Sequence, residues 1–102
     1  NDDSGKMSER TKAKVLEILG FGSIDNTLDI ENLHVNKAEE ENISGFKNEI
    51  EPDEYDDHDL HVKEHTRFLL SADSESLRKD ERRKANMLRH LSRHKDMLNQ
   101  NN

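Results

Sequence analysis

The sequence has no cysteine, no tryptophan and a single proline, and its aromatic residues are three phenylalanines and one tyrosine in 102 positions. Without cysteine there are no disulfides, no thiolate metal ligands and no cysteine nucleophile, a composition that fits a reducing compartment. No apolar run approaches the ~20 residues of a membrane helix, and no signal-peptide pattern opens the chain. Hydrophobic residues make up 29% against 38% charged, and the mean hydropathy is −1.17. So little apolar surface excludes a large autonomous core, leaving either partial disorder or helices whose stripes are covered by other chains. Chemistry is poorly provided for as well. Gly20-Phe21-Gly22 follows a helical pattern rather than a strand, the wrong context for a dinucleotide fingerprint. Asp56, Asp57, Asp59 and Glu64 could pair carboxylates, but an open helical hairpin offers nothing to raise a pKa or exclude water. Ser71, Ser74 and Ser76 lie near no predicted base. The chain reads as a non-enzyme without a cofactor.

What is present is charge, unevenly spread. From Asp29 to Asp57 there are 11 acidic residues against Lys37 and Lys47; from Arg78 to Lys95 there are eight basic residues against Asp80 and Glu81. The net charge of −7 therefore hides a dipole along the sequence. The acidic stretch repels polyphosphate and the basic one attracts it, unless the two are solvated faces or pair with each other between neighbouring helices.

Periodicity predicts an all-α fold of about four helices, treated as one helical region over 1–102. Ser8 caps a short helix over 9–19, built on Val15, Leu16, Ile18 and Leu19 and stopped by Gly20. Asp25, Asn26 and Thr27 are N-cap candidates for an acidic helix over 27–46. Its interior is weak, because Glu39-Glu40-Glu41 carries no apolar residue. Residues 47–56 form a linker around Pro52. Asp56 or Asp57 then caps a third helix from about His58 to Leu70. Ser71 to Ser74 turns the chain into a fourth, from about Glu75 to Asn99. In that last helix Leu77, Asp80, Lys84, Met87, Leu91, His94 and Leu98 recur in steps of three and four, a coiled-coil seam widened by Leu88. In the third, His58, His61, His65 and Phe68 do the same. A short turn makes such helices antiparallel neighbours, so 57–99 reads as a His-rich helical hairpin.

Five of the six histidines fall in this hairpin. His61/His65 and His90/His94 are each at i and i+4, on one helix face, and each pair is a candidate chelate for a divalent metal. Counted from a turn near Asp73, His65 is eight residues away and His90 seventeen, which sets the two pairs at different levels along a continuous hairpin. His58 approaches the level of His90. That geometry allows a two- or three-ligand site at best, so His58, His61, His65, His90 and His94 read first as polar spacers at a wet interface, then as metal ligands or a pH-responsive surface.

Four strings, in order, carry a resemblance: Lys12-Ala-Lys-Val-Leu-Glu-Ile-Leu-Gly-Phe-Gly22; Asp29-Ile-Glu-Asn-Leu-His-Val-Asn-Lys-Ala-Glu39 running into Glu41-Asn42; Glu54-Tyr-Asp-Asp-His-Asp-Leu-His-Val-Lys-Glu-His-Thr-Arg-Phe-Leu-Leu-Ser71; and His90-x-x-x-His94 followed by Met97-Leu98. Together they resemble the C-terminal region of portal proteins from tailed bacteriophages of Gram-positive hosts, most sharply in the D-D-H-x-x-H-x-x-x-H string from Asp56 to His65. The resemblance implies a helical crown facing the capsid interior, in a homo-oligomeric ring, usually of twelve copies, at one capsid vertex. DNA is packaged and released through that ring. It further implies transient contact with double-stranded DNA, other head proteins as partners, no membrane, and a location in the virion and, during assembly, the host cytoplasm. Wing, stem and clip are missing, and the chain opens at Asn1 rather than Met, so a fragment of a longer protein is expected.

Two other readings compete. A nucleic-acid-binding module, or an inter-subunit contact, would use Arg78, Lys79, Arg82, Arg83, Lys84, Arg89 and Arg93. Against DNA recognition stand the overall acidity and the lack of any aromatic residue after Phe68 for base stacking. The other is a His-rich metal-binding hairpin.

Overall fold

The computed structural model describes residues 8–18 and 27–100, and among them the fold is helical with no strand. The helices are α1 (Glu9–Ile18), α2 (Thr27–Ser44), α3 (His58–Leu70), α4 (Glu75–Lys79) and α5 (Glu81–Gln100), with a single 3₁₀ turn at Ala72–Ser74. The glycine turn at 20–22 and the cap candidates Asp25 and Asn26 lie outside the described residues. Helix α3 is central, packed against α2 and α5.

The caps explain the boundaries. Ser8 Oγ accepts the Thr11 N–H at 3.1 Å and starts α1; Asp57 accepts the Leu60 N–H at 3.1 Å and starts α3. The continuous fourth helix expected from Glu75 to Asn99 is instead two. Asp80 is extended, and its Oδ1 accepts the backbone N–H groups of Arg82 (3.1 Å) and Arg83 (3.2 Å). It is thus the N-cap of α5 rather than a seam residue, and it is exposed. Leu88 likewise points outward, whereas Leu77, Met87, Leu91 and His94 are buried.

Helix α2 stops at Ser44, two residues before the expected end. Gly45 (φ +75°) and Phe46 (φ +53°) are both left-handed and swing the chain back across α5. Three α5 side chains hold the reversed backbone: Arg83 Nε donates to the Gly45 carbonyl at 2.7 Å, Asn86 Nδ2 to Phe46 at 2.9 Å and Arg82 to Lys47 at 2.7 Å. A Cβ on Gly45 would sit 2.6 Å from an Arg83 guanidinium nitrogen. Gly45→Ala is therefore expected to cost more than the ~1 kcal/mol of the left-handed conformation alone, because Arg83 must give up its carbonyl. Urea denaturation of the variant checks this, and a loss below 0.5 kcal/mol or so would show the turn to be loose.

The apolar core is small: Phe46, Leu77 and Met87, fully buried, with Ile50, Phe68 and Leu69 packed against them. Beside it lies a second interior that is polar. His58, His61, His65, His90, His94, Asp56 and Asp57 are all buried, although polar residues are rarely this enclosed unless paired.

Candidate functional site

The structure overturns the geometric objection to a joint histidine site. One ring nitrogen from each of His61, His65, His90 and His94 lies within 4.8 Å of the others. The level argument fails because residues 71–80 do not rise along one helix axis. They are spent on the 3₁₀ turn, α4 and the break at Asp80. Counted from the real helix ends, His65 is five residues before Leu70 and His90 nine after Glu81, so the offset shrinks to about one helical turn. His58, placed level with His90 by the sequence, meets His94 instead, Nδ1 to Nδ1 at 2.8 Å.

A fifth group was invisible in the sequence. Glu41 of α2 places one carboxylate oxygen 3.1 Å from His65 Nε2, 3.3 Å from His90 Nε2 and 3.4 Å from His61 Nδ1. It sits in the acidic Glu39-Glu40-Glu41 run. The only available signal was its place, with Ala38 and Asn42, on the face of α2 that turns inward. His94 completes the group through an Nε2–Nε2 contact with His90 at 3.1 Å.

Each ring's other nitrogen faces an outer partner. His65 Nδ1 meets Asn42 Oδ1 at 2.7 Å, and His90 Nδ1 donates to the Ile50 carbonyl at 2.7 Å. His94 meets His58, and His61 Nε2 faces Asp56 Oδ1 at 3.9 Å. Neither ring nitrogen of His61 makes a hydrogen bond, although the ring is fully buried. Asp56 is itself held by Lys37, which also binds Asp53 at 2.6 Å, and it accepts the Asp53 N–H at 3.0 Å. His34, Asp56 and His61 form a smaller adjoining group.

Burial sets the charges. It pushes His34, His58 and His65 below the ordinary imidazole value and His94 down to about 2, the neighbouring rings adding to the effect at His94. For Glu41, burial alone would raise the pKa, but the surrounding His61, His65 and His90 outweigh it and hold the carboxyl well below the usual range. An ionised carboxylate thus meets His65, a ring that burial drives toward neutrality.

The basic residues of the last helices are largely engaged within the chain. Beyond Arg82 and Arg83, Arg89 binds Glu51 at 3.1 Å and Arg93 binds it at 3.3 Å. Arg78 donates to Ser74 Oγ at 2.8 Å, and Lys79 pairs with Glu75 at 3.1 Å. Lys84 is half-buried. The basic and acidic stretches therefore pair in cis through the 45–51 segment.

No helix of the described residues is long and apolar enough to cross a membrane. No protein-family model, curated protein or solved structure matches the chain.

Proposed function

We propose that the chain is a structural assembly module, the helical crown region of a tailed-phage portal ring, which packs against copies of itself around a passage for double-stranded DNA. The observation that carries this reading is where the resemblance falls. Asp56, Asp57, His58, His61 and His65, which hold its sharpest string, and His90 and His94 of the last string are all buried, and His61, His65, His90 and His94 meet in one interior. The resemblance thus concerns the framework of the fold rather than a decorated surface.

Two further features support it. Among the side chains whose burial the structure describes, six hydrophobic ones are buried, while Ile43 and Leu70 are each 84% exposed and Ile18 74%. A second copy of the chain is the partner that covers them. Arg82, Arg83, Arg89 and Arg93, although most are exposed, are engaged with the chain's own carbonyls and carboxylates rather than left to grip phosphate. That suits a passage along which DNA must slide, and it disfavours the stable nucleic-acid binding of the competing reading. Other head proteins would be the neighbours of such a ring, at the capsid vertex.

Native mass spectrometry and negative-stain microscopy test the proposal. A closed ring with a central opening is expected, with weak binding of random double-stranded DNA at physiological salt. A monomer, both for this chain and for any longer protein that contains it, sinks the reading. Tight, steeply salt-dependent DNA binding would instead favour the basic module.

A further inference from the structure

We propose that Glu41, His61, His65, His90 and His94 bind one divalent transition-metal ion, zinc being the expected occupant, as a closed structural centre joining α2, α3 and α5. This inference does not depend on the portal reading.

The first argument is proton accounting. Asn42 Nδ2 donates to Glu64 at 3.3 Å, which turns Asn42 Oδ1 toward His65 and makes His65 Nδ1 the donor. The Ile50 carbonyl only accepts, so His90 Nδ1 also carries its proton. In neutral rings both Nε2 atoms then present lone pairs, aimed at an ionised oxygen 3.1 and 3.3 Å away. The Nε2 atoms of His90 and His94 face each other at 3.1 Å. Where Nε2 of His65 and of His90 meets the Glu41 oxygen, acceptor faces acceptor in a buried site, which repels unless a cation lies among them.

The second argument is the outer ring of partners. Metal-bound histidines hand their remaining N–H to a carboxylate, carbonyl or similar acceptor, which fixes tautomer and orientation. Three of the four rings have such a partner within hydrogen-bond distance, Asn42, the Ile50 carbonyl and His58, and His61 Nε2 faces the Asp56 carboxylate at 3.9 Å. A cluster of histidines packed only as polar filler has no reason to sort inner from outer nitrogens so consistently.

Distances and chemistry select the ion. Ligands about 2.0–2.1 Å from one ion lie roughly 3–4 Å from each other. The contacts of 3.1–3.4 Å fall in that range, and the 4.8 Å envelope needs only slight contraction. Imidazole nitrogens with one carboxylate and no thiolate suit zinc, nickel, copper or iron rather than magnesium or calcium. Five protein groups at a buried position leave no obvious place for substrate, so the centre ties helices together rather than reacting.

The test is metal analysis of the chain purified without a histidine tag from zinc-supplemented medium, followed by melting with and without chelator. About one equivalent is expected, with Tm falling by about 10 °C or more on chelation and recovering with zinc. Cobalt substitution should give the visible absorption of a four- or five-coordinate ion. Because His61→Ala with His65→Ala removes two buried rings and can prevent folding, the informative variant is His58→Ala. It leaves every ligand in place and is expected to weaken metal affinity about 10- to 100-fold. Substoichiometric metal with a Tm indifferent to zinc, cobalt and chelator overturns the proposal. Stoichiometric metal whose affinity and cobalt spectrum survive loss of both His61 and His65 overturns it too.

Discussion

Acidification of the metal-free protein from pH 7 to pH 4 is expected to unfold it cooperatively, with a midpoint about one to two units below the ordinary imidazole pKa. Burial holds His34, His58, His65 and His94 below the ordinary imidazole value of 6.5, His94 down to about 2. A group whose pKa is depressed on folding contributes stability above its unfolded value and loses it as pH falls toward the folded one. Each such histidine therefore adds a slope of up to about 1.4 kcal/mol per pH unit below 6.5. Glu41, also depressed, adds to the loss below its unfolded value of 4.5. The groups facing these rings are Glu41 from α2, Asp56 and Asp57 before α3, Lys12 from α1 and His61 and His90 within the cluster. The rings depress one another, so protonation of one relieves the next and the slopes sum to less than four independent terms. His94 alone, held down to about 2, removes about 2 kcal/mol between pH 6.5 and pH 5, and the other rings add to that loss, against a total of roughly 5–15 kcal/mol for a domain of this size. Circular dichroism across the range is the measurement. Helicity and a sharp thermal transition preserved at pH 4 would mean that the rings are not held neutral.

Phe46→Ala is expected to be the most damaging single truncation, about 3–5 kcal/mol, enough to abolish the cooperative melt. The ring is fully buried with Leu77 and Met87 and places its edge near His65, centroids 5.7 Å apart, and near His90 at 5.2 Å. It is the contact through which the apolar and polar interiors support each other. Its backbone is left-handed, a conformation costly for a bulky residue and tolerated here because the surrounding packing outweighs it. That leads to an ordering opposite to ordinary glycine substitutions. Phe46→Gly loses the same ring but relieves the backbone, so it should be no less stable than Phe46→Ala. Guanidinium titrations of both variants decide the matter. An alanine variant that keeps most of the native stability would remove Phe46 from the core.

What the sequence made legible were features with local signals. Asp57 before an apolar-polar stripe marks the start of α3, and the i, i+4 histidine pairs mark the faces of α3 and α5 that turn inward. What it hid were features decided by tertiary contacts. Asp80 fits a heptad position as well as a cap, and only the docking of α4 decides between them. Phe46 extends the apolar pattern of α2, yet its backbone is reversed by contacts with Arg83, Asn86 and Arg82 some forty residues later. Glu41 could not stand out in a run of three glutamates, because its distinction is the set of rings that α3 and α5 bring to it. The pairing of Arg89 and Arg93 with Glu51 was one option among several in the charge pattern, and the path of the 45–51 segment decides it.

Because Glu41 and Asn42 come from α2 while all four imidazoles come from α3 and α5, a shortened piece beginning at residue 57 would retain every ring yet lose its counter-charge, the amide that orients His65, and the Phe46 plug. The acidic helix is thus no solubilising sleeve that an engineer can trim away. Excised at that point, the histidine-rich half would carry its nitrogens as a loose, exchange-prone cluster instead of a fixed constellation.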